Sequence, residues 1–555
     1  MNSPIAIPDL NSLGAQEAFL QMAADWGLVT STGRPVEVTR DLRRAIAVFD
    51  NGVAIIARGM RHTVEVKSVL DRARHAGVGL RHYREADVPL LLAIYDRFDT
   101  QGGQASRGTL DLERQRDLAR LFEEAAQQRA SDIHIRVLPT HAEVKIRVNG
   151  RMRPLGSIAP EIGQAMIRAA FAVASGQGAT GTDSTFQQGA LGGRSGLLPP
   201  MVEMIRLQYS PTSDQRGALV MRLKYIGTNG DIDVDALGYA PEQVADLRNM
   251  RLKTNGMYIF AGKVSSGKTT TLQRCLNAMY VEKRGEITIY AAEDPKELEL
   301  DGAIQAQISA GLDAVEAFRT AMKAALRSDP NVIVLGEIRA PELAEMALEA
   351  AKTGHALWST VHAGSALGIL NRLINLGVDR EDLKDPRTVG GLIYQRLVGV
   401  MCPDCRVDFP RAVADGLLEG ELAVRFARLS GQRLADLHVR GPGCARCQSG
   451  LVGRTVVAET IRPDAALLEI YMDRSRLEAE KYWLLPRDKG GLGGLPVLHH
   501  ALVKVGAAIA DINETQEEVD LLETYEREFA HLTDRLRHDI AVLRQGTPAR
   551  GLGRG

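Results

Sequence analysis

Short apolar runs alternate with longer amphipathic stretches over residues 236–400. The apolar runs are MYIFAG, ITIYAAED, VIVLGE and ALWSTVHAG, and the stretches between them carry apolar residues at helical spacing. This alternation predicts a parallel sheet covered by helices on both faces. We therefore expect the centre of the chain to be an α/β domain.

The first 98 residues predict a small α/β domain of their own. Their pattern indicates a hairpin over 46–59 that turns at Asp50-Asn51-Gly52. A helix ending at Gly77 is expected to follow. Residues 99–109 are rich in glycine and polar side chains, which is typical of a linker.

Residues 110–228 predict a second domain, of the α+β class. An amphipathic helix opens it, and two strands with alternating apolar residues follow, SDIHIRVL and AEVKIRVNG. Residues 176–196 are rich in glycine and polar side chains, which favours a long loop. Two further strands, VEMIRLQYS and LVMRLKYIG, complete the predicted domain.

The last third of the chain departs from the α/β pattern. Residues 401–460 form a cysteine-bearing insert, and residues 461–555 predict a helical region. A long helix expected over 515–544 carries an apolar stripe of Leu522, Tyr525, Phe529, Leu532 and Leu536. The stripe lasts about two to three heptads, short of the ~3–4 typical of a coiled coil, which favours packing on its own domain.

Composition narrows the class of protein. A chain of 555 residues predicts about three or four domains. The formal net charge of −1 argues against a bulk nucleic-acid binder. No apolar run approaches the ~18–20 residues that span a bilayer, and the first residues lack the pattern of a signal peptide. We expect a cytoplasmic protein that meets membranes only peripherally.

A glycine-rich loop follows the first strand of the central domain. It fits the pattern G-x-x-x-x-G-K-[ST], in which backbone N–H groups and a helix N-terminus cradle phosphates. Lys268 would reach the β- and γ-phosphates, and Thr269 would offer its hydroxyl to Mg²⁺. The candidate nucleotide-binding residues here are Gly262, Lys263, Val264, Ser265, Ser266, Gly267, Lys268, Thr269 and Thr270.

Acidic residues follow two of the predicted strands. NVIVLGE ends in Glu337, and ITIYAAED ends in Glu293 and Asp294. Because ligands bind at the carboxyl ends of parallel strands, Glu337 would lie where it can orient a water that attacks a phosphate. A surface glutamate after a core strand is the alternative, which the glycine-rich loop about 70 residues upstream disfavours.

Four of the five cysteines form two Cys-x-x-Cys pairs, Cys402 with Cys405 and Cys444 with Cys447. Two such pairs supply the four thiolates of a tetrahedral Zn²⁺ site. A redox pair is the alternative, but two pairs in one insert of a cytosolic protein favour a structural metal. The fifth cysteine, Cys275, follows the glycine-rich loop on its predicted helix and is interpreted as a core residue.

Several segments resemble, in order, blocks of the secretion-motor ATPase family. AAEDPKELE (291–299) looks like its acidic block, SDPNVIVLGEIR (328–339) like its Walker B block and TGHALWSTVHAGSA (353–366) like its histidine block. QRL (395–397) and SDIHIRVLPTHAEVKIRVNG (131–150) also fit. The family contains the assembly ATPases of type II secretion and type IV pili, with pilus-retraction and type IV secretion ATPases as relatives.

The resemblance, over about 110–515, implies a RecA-like P-loop core and a PAS-like second domain. The residues that it implies for catalysis are Glu337, Lys268, Glu293, His362, Arg206 and Arg222. It further implies Arg147 and His355 for nucleotide binding, and Thr269 and Asp294 for Mg²⁺. The arginines would approach the nucleotide from the second domain, where they stabilise transition-state charge. The two histidines would sense the γ-phosphate or couple a subunit interface.

The chain also departs from the family pattern. Asn331 replaces an acidic residue, Ala340 an aspartate, Lys323 an arginine and Arg216-Gly217 a Gly-Glu pair. None of these changes removes the chemistry described above. They indicate a divergent branch, such as the thin pilus of a conjugative plasmid.

The function that the resemblance implies is a hexameric ATPase acting on an inner-membrane platform protein. ATP, Mg²⁺ and Zn²⁺ are its expected cofactors, and residues 1–98 its docking module. In the family, the four-cysteine insert marks assembly and secretion ATPases and is lacking in retraction ATPases. A retraction or type IV secretion ATPase, a nucleic-acid translocase or helicase, and a non-hydrolysing nucleotide sensor are the alternatives. The balanced charge disfavours the translocase, and no direct nucleic-acid partner is expected.

Overall fold

The chain divides into two compact units, Met1–Ile226 and Gly227–Gly555. The computed structural model describes residues 7, 10, 12–31, 34–39, 42–99, 105–174, 185–212, 216–226, 232–293, 299–308, 314–447 and 449–546. Among the helices in these ranges, none is both long enough and apolar enough to cross a bilayer.

In its described residues, the first unit contains two sheets and their covering helices. Its helices are α1 Leu13–Met22, α2 Val64–His75, α3 Val88–Asp99, α4 Ala105–Gln127 and α5 Pro160–Val173. Its strands are β1 Ile46–Val48, β2 Val53–Ala57, β3 His82–Ala86, β4 Asp132–Val137, β5 Ala142–Val148, β6 Arg151–Ile158, β7 Gln187–Gly192, β8 Val202–Ser210 and β9 Ala218–Tyr225.

The predicted hairpin near the start of the chain is confirmed. Strands β1 and β2 pair antiparallel, with Ile46 opposite Ile56, and Gly52 in the turn has φ +85°. A Cβ at Gly52 would meet the Gly79 carbonyl oxygen at 2.1 Å, so the turn requires glycine. Helix α2 ends at His75, in agreement with the predicted stop at Gly77.

The second sheet has the strand order β6-β5-β4-β9-β8-β7 and is antiparallel throughout the described ranges. Alternating residues of β4 and β5 face an apolar core that also contains residues of α4 and α5. This core is separate from the one formed around β1, β2 and β3. Each sheet therefore has its own apolar interior within the unit.

Two elements of this unit have bounds that differ from those expected from the sequence. Helix α4 starts at Ala105, inside the predicted linker, because a long helix absorbs the cost of about 1 kcal/mol for one internal glycine. The predicted loop over 176–196 contains β7, which pairs with β8. Its Gly189 lies close to Ala174 and Phe171, where a larger side chain would crowd the core. Residues 175–184 of that loop lie outside the described ranges.

The second unit is larger. Its helices are α6 Pro241–Arg251, α7 Lys268–Glu282, α8 Ala314–Leu326, α9 Pro341–Lys352, α10 Ala366–Asn375, α11 Phe409–Ala414, α12 Gly420–Ser430, α13 Ala465–Glu469, α14 Arg476–Leu484, α15 Val497–Gly506, α16 Ile512–Glu518, α17 Leu522–Glu528 and α18 Thr533–Gly546. Its strands are β10 Gly256–Ala261, β11 Ile289–Glu293, β12 Ala303–Gln307, β13 Val332–Leu335, β14 Ala356–Val361, β15 Val389–Met401, β16 Val407–Asp408, β17 His438–Val439 and β18 Leu451–Ile461.

The main sheet has the order β12-β11-β13-β14-β10-β15-β18 within the described residues. As expected, each strand is parallel to its neighbours from β12 at one side of the sheet as far as β15, which is next to last. Apolar clusters cover both faces of the sheet. The last strand, β18, is antiparallel to β15. This strand lies inside the range 401–460 that the sequence predicts as the cysteine insert. Its apolar residues instead pair with β15, and β18 becomes the last strand in the order.

The predicted long helix over 515–544 is broken. Helices α16, α17 and α18 replace it, and the first break falls where the Asp520 carboxylate accepts hydrogen bonds from Leu521 N and Thr524 Oγ1. Such local bonds compete with a continuous helix. The stripe nevertheless packs on its own domain, as favoured: Leu522, Tyr525, Leu532 and Leu536 are buried in the core of this unit.

Candidate nucleotide site and metal centre

The glycine-rich loop lies between β10 and α7, so the predicted strand–loop–helix arrangement is confirmed. Gly262, Ser265 and Gly267 have φ values of +153°, +62° and +82°. These positive values curl the backbone so that successive N–H groups can face one anion. Helix α7 adds the positive end of its dipole at the same point. Lys263, Val264 and Ser265 are exposed at the rim.

Lys268 folds back over the mouth of the loop. Its Nζ donates to the carbonyl oxygens of Gly262 at 2.9 Å and Lys263 at 3.0 Å. Thr269 is half-buried and Thr270 exposed in the first turn of α7. The loop thus presents an amine, a hydroxyl and backbone donors together, the set that holds a phosphate chain and its Mg²⁺.

Strand β15, which is next to β10 in the sheet, packs against the glycine-rich loop. A Cβ added to Gly262 would lie 2.4 Å from the backbone oxygen of Gln395 on β15. The buried Gln395 side chain donates through Nε2 to the Ser266 carbonyl at 2.7 Å. Its Oε1 accepts from the hydroxyl of Tyr239 at 2.6 Å. The block QRL drew attention to Gln395 without a role, and no sequence signal singled out Tyr239.

Glu337 and His362 come together beside the loop. Glu337 follows β13 and His362 follows β14, and Glu337 Oε1 lies 3.1 Å from His362 Nε2. Thr360 holds this turn, since its Oγ1 donates to Gly336 O at 2.8 Å and its carbonyl accepts from Ile338 N. Because β14 separates β13 from β10, Glu337 is two strands, or about 10 Å, from the loop.

Glu293 ends β11 at the same edge of the sheet. It is buried, and its Oε2 accepts from Gln305 Nε2 at 3.3 Å. Since β11 and β13 are parallel neighbours, Glu293 and Glu337 both lie at carboxyl ends on the loop side. Asp294, the other candidate for Mg²⁺, lies outside the described residues.

His355 is not part of this edge. It precedes β14, and its carbonyl accepts from Gly256 N at the start of β10. The six residues of β14 separate it from His362, which places it about 20 Å from the loop side. Its Nδ1 lies 3.1 Å from Thr353 Oγ1 in the local turn. The two histidines therefore stand at opposite ends of one strand, and nucleotide binding by His355 stays a prediction.

The three candidate arginines form a row in the first unit. In the ladder of the six-stranded sheet, Asp132 lies opposite both Arg147 and Arg222, and Arg206 lies opposite Arg222. Arg222 Nε is 3.0 Å and Arg147 Nε 3.7 Å from the Asp132 carboxylate, whose side chain is 5% exposed. One carboxylate thus orients two guanidinium groups on the same face of the sheet.

The four cysteines of the insert converge. Their Sγ atoms lie within 4.8 Å of one another, with 3.8 Å between Cys402 and Cys444, 3.6 Å between Cys405 and Cys447 and 3.7 Å between Cys444 and Cys447. A tetrahedron with Zn–S bonds of about 2.3 Å requires S···S distances of about 3.8 Å. The donor set and its dimensions therefore fit Zn²⁺.

Cys275 is a core residue, as predicted. It is buried on α7, and burial raises the pKa of its thiol to about 11. A thiol with so high a pKa is protonated at neutral pH and is a poor nucleophile and metal ligand.

A family model described as "Type II/IV secretion system protein" matches residues 111–484. A protein transport protein HofB homolog of Escherichia coli (strain K12) is 31% identical over 62% of this chain and 69% of its own length. A type II secretion system protein E of Klebsiella pneumoniae is 31% identical over 62% and 64%. The type IV pilus assembly ATPase PilB of Thermus thermophilus is 29% identical over 78% and 46%. The chain spans about half to two thirds of these relatives' own length.

Proposed function

Because the chain belongs to the type II/IV secretion system protein family, we propose that it hydrolyses ATP to ADP and phosphate to power a pilus or secretion machine. The machine is a type IV pilus assembly system or a type II-like secretion system. Relatives bear the names of both. The four-cysteine cluster supports assembly or secretion over retraction, given the resemblance of the sequence.

One observation carries the proposed hydrolysis: the Glu337–His362 pair and the glycine-rich loop stand at the same edge of the main sheet. In this arrangement Lys268 and the loop N–H groups bind the phosphates. Glu337 orients the attacking water, and His362 holds the Glu337 carboxylate in place. Thr269 would hold Mg²⁺ through its hydroxyl, and the ion would supply positive charge opposite the phosphoryl oxygens.

The remaining roles rest on the resemblance. We place the row of Arg147, Arg206 and Arg222 against the nucleotide phosphates in a closed state, with a homo-hexamer as the working form. The partner is an inner-membrane platform protein, and the location is the cytoplasm. Asp132 supports the arginine role, because it holds two of these side chains with their guanidinium groups on one face.

The test is phosphate release by the purified full chain. We expect Glu337→Gln to lower kcat by at least about a hundredfold while nucleotide binding is kept. Lys268→Ala should abolish binding. Glu345→Gln, an exposed glutamate on the next helix, is the matched control and should leave turnover unchanged.

Unchanged turnover in Glu337→Gln would overturn the catalytic assignment. Stimulation of turnover by single-stranded DNA, with none by a membrane platform protein, would replace the proposed machine by a nucleic-acid motor.

A further inference from the structure

A buried amide lies directly beneath the glycine-rich loop. The side chain of Gln395 is fully buried on β15, and both glycines of the loop pack against this residue. A Cβ at Gly262 would lie 2.4 Å from the Gln395 carbonyl oxygen, and one at Gly267 would lie 3.2 Å from Gln395 Nε2. The loop is thus in contact with Gln395 at both of its ends.

The hydrogen bond from Gln395 Nε2 to Ser266 O, 2.7 Å long, has a geometric consequence. The peptide that joins Ser266 to Gly267 is planar and trans, so its C=O and N–H point in opposite directions. Fixing the Ser266 oxygen toward β15 therefore fixes the Gly267 N–H away from β15. That N–H belongs to the set that cradles phosphate in loops of this pattern.

We propose that Gln395 and Tyr239 are positioning residues that aim the Gly267 N–H at the bound phosphates. This inference rests on the proposed ATP hydrolysis and deepens it. Gln395 acts through the Ser266–Gly267 peptide, and Tyr239 acts through Gln395.

Tyr239 holds the Gln395 amide from the side opposite Ser266. Its hydroxyl carries one proton and lies 2.6 Å from Gln395 Oε1, with Thr271 Oγ1 at 3.3 Å. Because the hydroxyl donates to Oε1, the Nε2 group must face the Ser266 carbonyl. A flipped amide would set its own oxygen against the carbonyl oxygen of Ser266. Tyr239 and the Ser266 carbonyl therefore favour the same orientation of the Gln395 amide, and that amide fixes the orientation of the Ser266–Gly267 peptide.

Tyr239 is itself held firmly. The preceding residue, Gly238, has φ +95°, and its carbonyl accepts from Lys504 Nζ at 2.6 Å. A Cβ at Gly238 would lie 2.0 Å from Thr455 Oγ1, which also accepts from Lys504. The backbone before Tyr239 is therefore clamped against β18 and α15. The Tyr239 hydroxyl is therefore held in a fixed position, from which it donates to the Gln395 side-chain amide.

The experiment measures the affinity of the purified full chain for ATP and Mg²⁺ by isothermal titration calorimetry. Gln395→Leu removes the bond to Ser266, and we expect affinity to fall about tenfold, the upper range for one hydrogen bond. Tyr239→Phe keeps the ring and should lower affinity about threefold. Since Tyr239 acts through Gln395, the double variant should match Gln395→Leu within about twofold.

Tyr258→Phe is the matched control. Its hydroxyl is a part-buried donor to Asn255 O at 2.8 Å, near the start of β10 and away from the loop. It should lower thermal stability about as much as Tyr239→Phe and leave ATP affinity unchanged. A fall in affinity for Tyr258→Phe equal to that for Tyr239→Phe would overturn the positioning role, because general loosening would then explain both.

Two further outcomes separate this inference from the proposed function. If wild type binds ATP and Lys268→Ala does not, unchanged affinity in Gln395→Leu overturns the inference alone. If wild type itself fails to bind ATP, the proposed function falls and takes the inference with it. Independent, multiplying effects of the two substitutions would overturn the claim that Tyr239 acts through Gln395.

Discussion

Replacing Gly262 by alanine tests whether β15 limits the space available to the glycine-rich loop. The new Cβ would lie 2.4 Å from Gln395 O and 2.5 Å from Ser266 Oγ, at a φ of +153°. Ordinary contact begins at 3.4 Å, so the backbone must move by about 1 Å. The Gln395 oxygen cannot give way easily, because β15 pairs with strands on both sides. The loop must therefore move.

The magnitude follows from two costs. A side chain in this region of backbone space costs about 1–3 kcal/mol. Overpacking against a fixed neighbour adds about 1–3 kcal/mol. If the loop escapes both by leaving its binding conformation, ATP affinity falls by at least about thirtyfold, the equivalent of about 2 kcal/mol.

The assay is calorimetric titration of ATP with Mg²⁺, with Gly377→Ala as the control. Gly377 also has a positive φ, +90°, but no atom lies within 4 Å of its added Cβ. This control should lower the free energy of unfolding by about 1 kcal/mol and leave ATP affinity intact. Wild-type affinity in Gly262→Ala would refute the idea that Gln395 limits the space beneath the loop.

Three further predictions concern the second unit. In urea titrations, Leu536→Ala on α18 should lower the free energy of unfolding by about 2–5 kcal/mol, because Leu536 is buried. The control on the same helix is Val542→Ala, whose side chain is 51% exposed and which should change that free energy by under about 0.5 kcal/mol. Atomic absorption should find one zinc per chain; Cys447→Ala should remove it and lower the Tm, and zinc content unchanged in that variant would contradict the site. Burial raises the pKa of Glu459 to about 7, above its unfolded value, so its contribution to stability is complete below about pH 4.5 and is lost as pH rises through 7. Between pH 5 and 8 the wild type should therefore lose up to about 3 kcal/mol relative to Glu459→Gln, and parallel pH curves for the two proteins would contradict this.

The central features of the site could be predicted because they depend on short stretches of sequence. The glycine-rich loop follows an apolar strand and opens a helix, so its local geometry is encoded within about ten residues. Glu337 follows a second strand of the same sheet. The rule that parallel strands place their carboxyl ends at one edge then brings the two together.

Sequence-based expectations differ from the structure where contacts between residues far apart in the sequence decide the arrangement. His355 and His362 look equivalent in one sequence block, but a strand between them sends them to opposite edges of the sheet. The contact of Gln395 with Ser266 depends on the register between β15 and β10, which no local pattern specifies. The glycine-rich segment that became β7 is held by pairing with β8, against its weak strand propensity.

Because β18 pairs antiparallel with β15, the cysteine insert begins and ends at neighbouring positions of the main sheet. The insert leaves the sheet at Met401 and returns at Leu451, and these two residues are paired neighbours, about 5 Å apart. A short hairpin turn could join them, so the sheet itself could lose the insert without a change of path. The insert is tied instead to the C-terminal helices: Arg537 Nε on α18 donates to Leu429 O on α12, and Arg425 pairs with Glu526 on α17. Removing the insert would therefore leave the sheet's path unchanged but would take from α17 and α18 their contacts with Arg425 and Leu429.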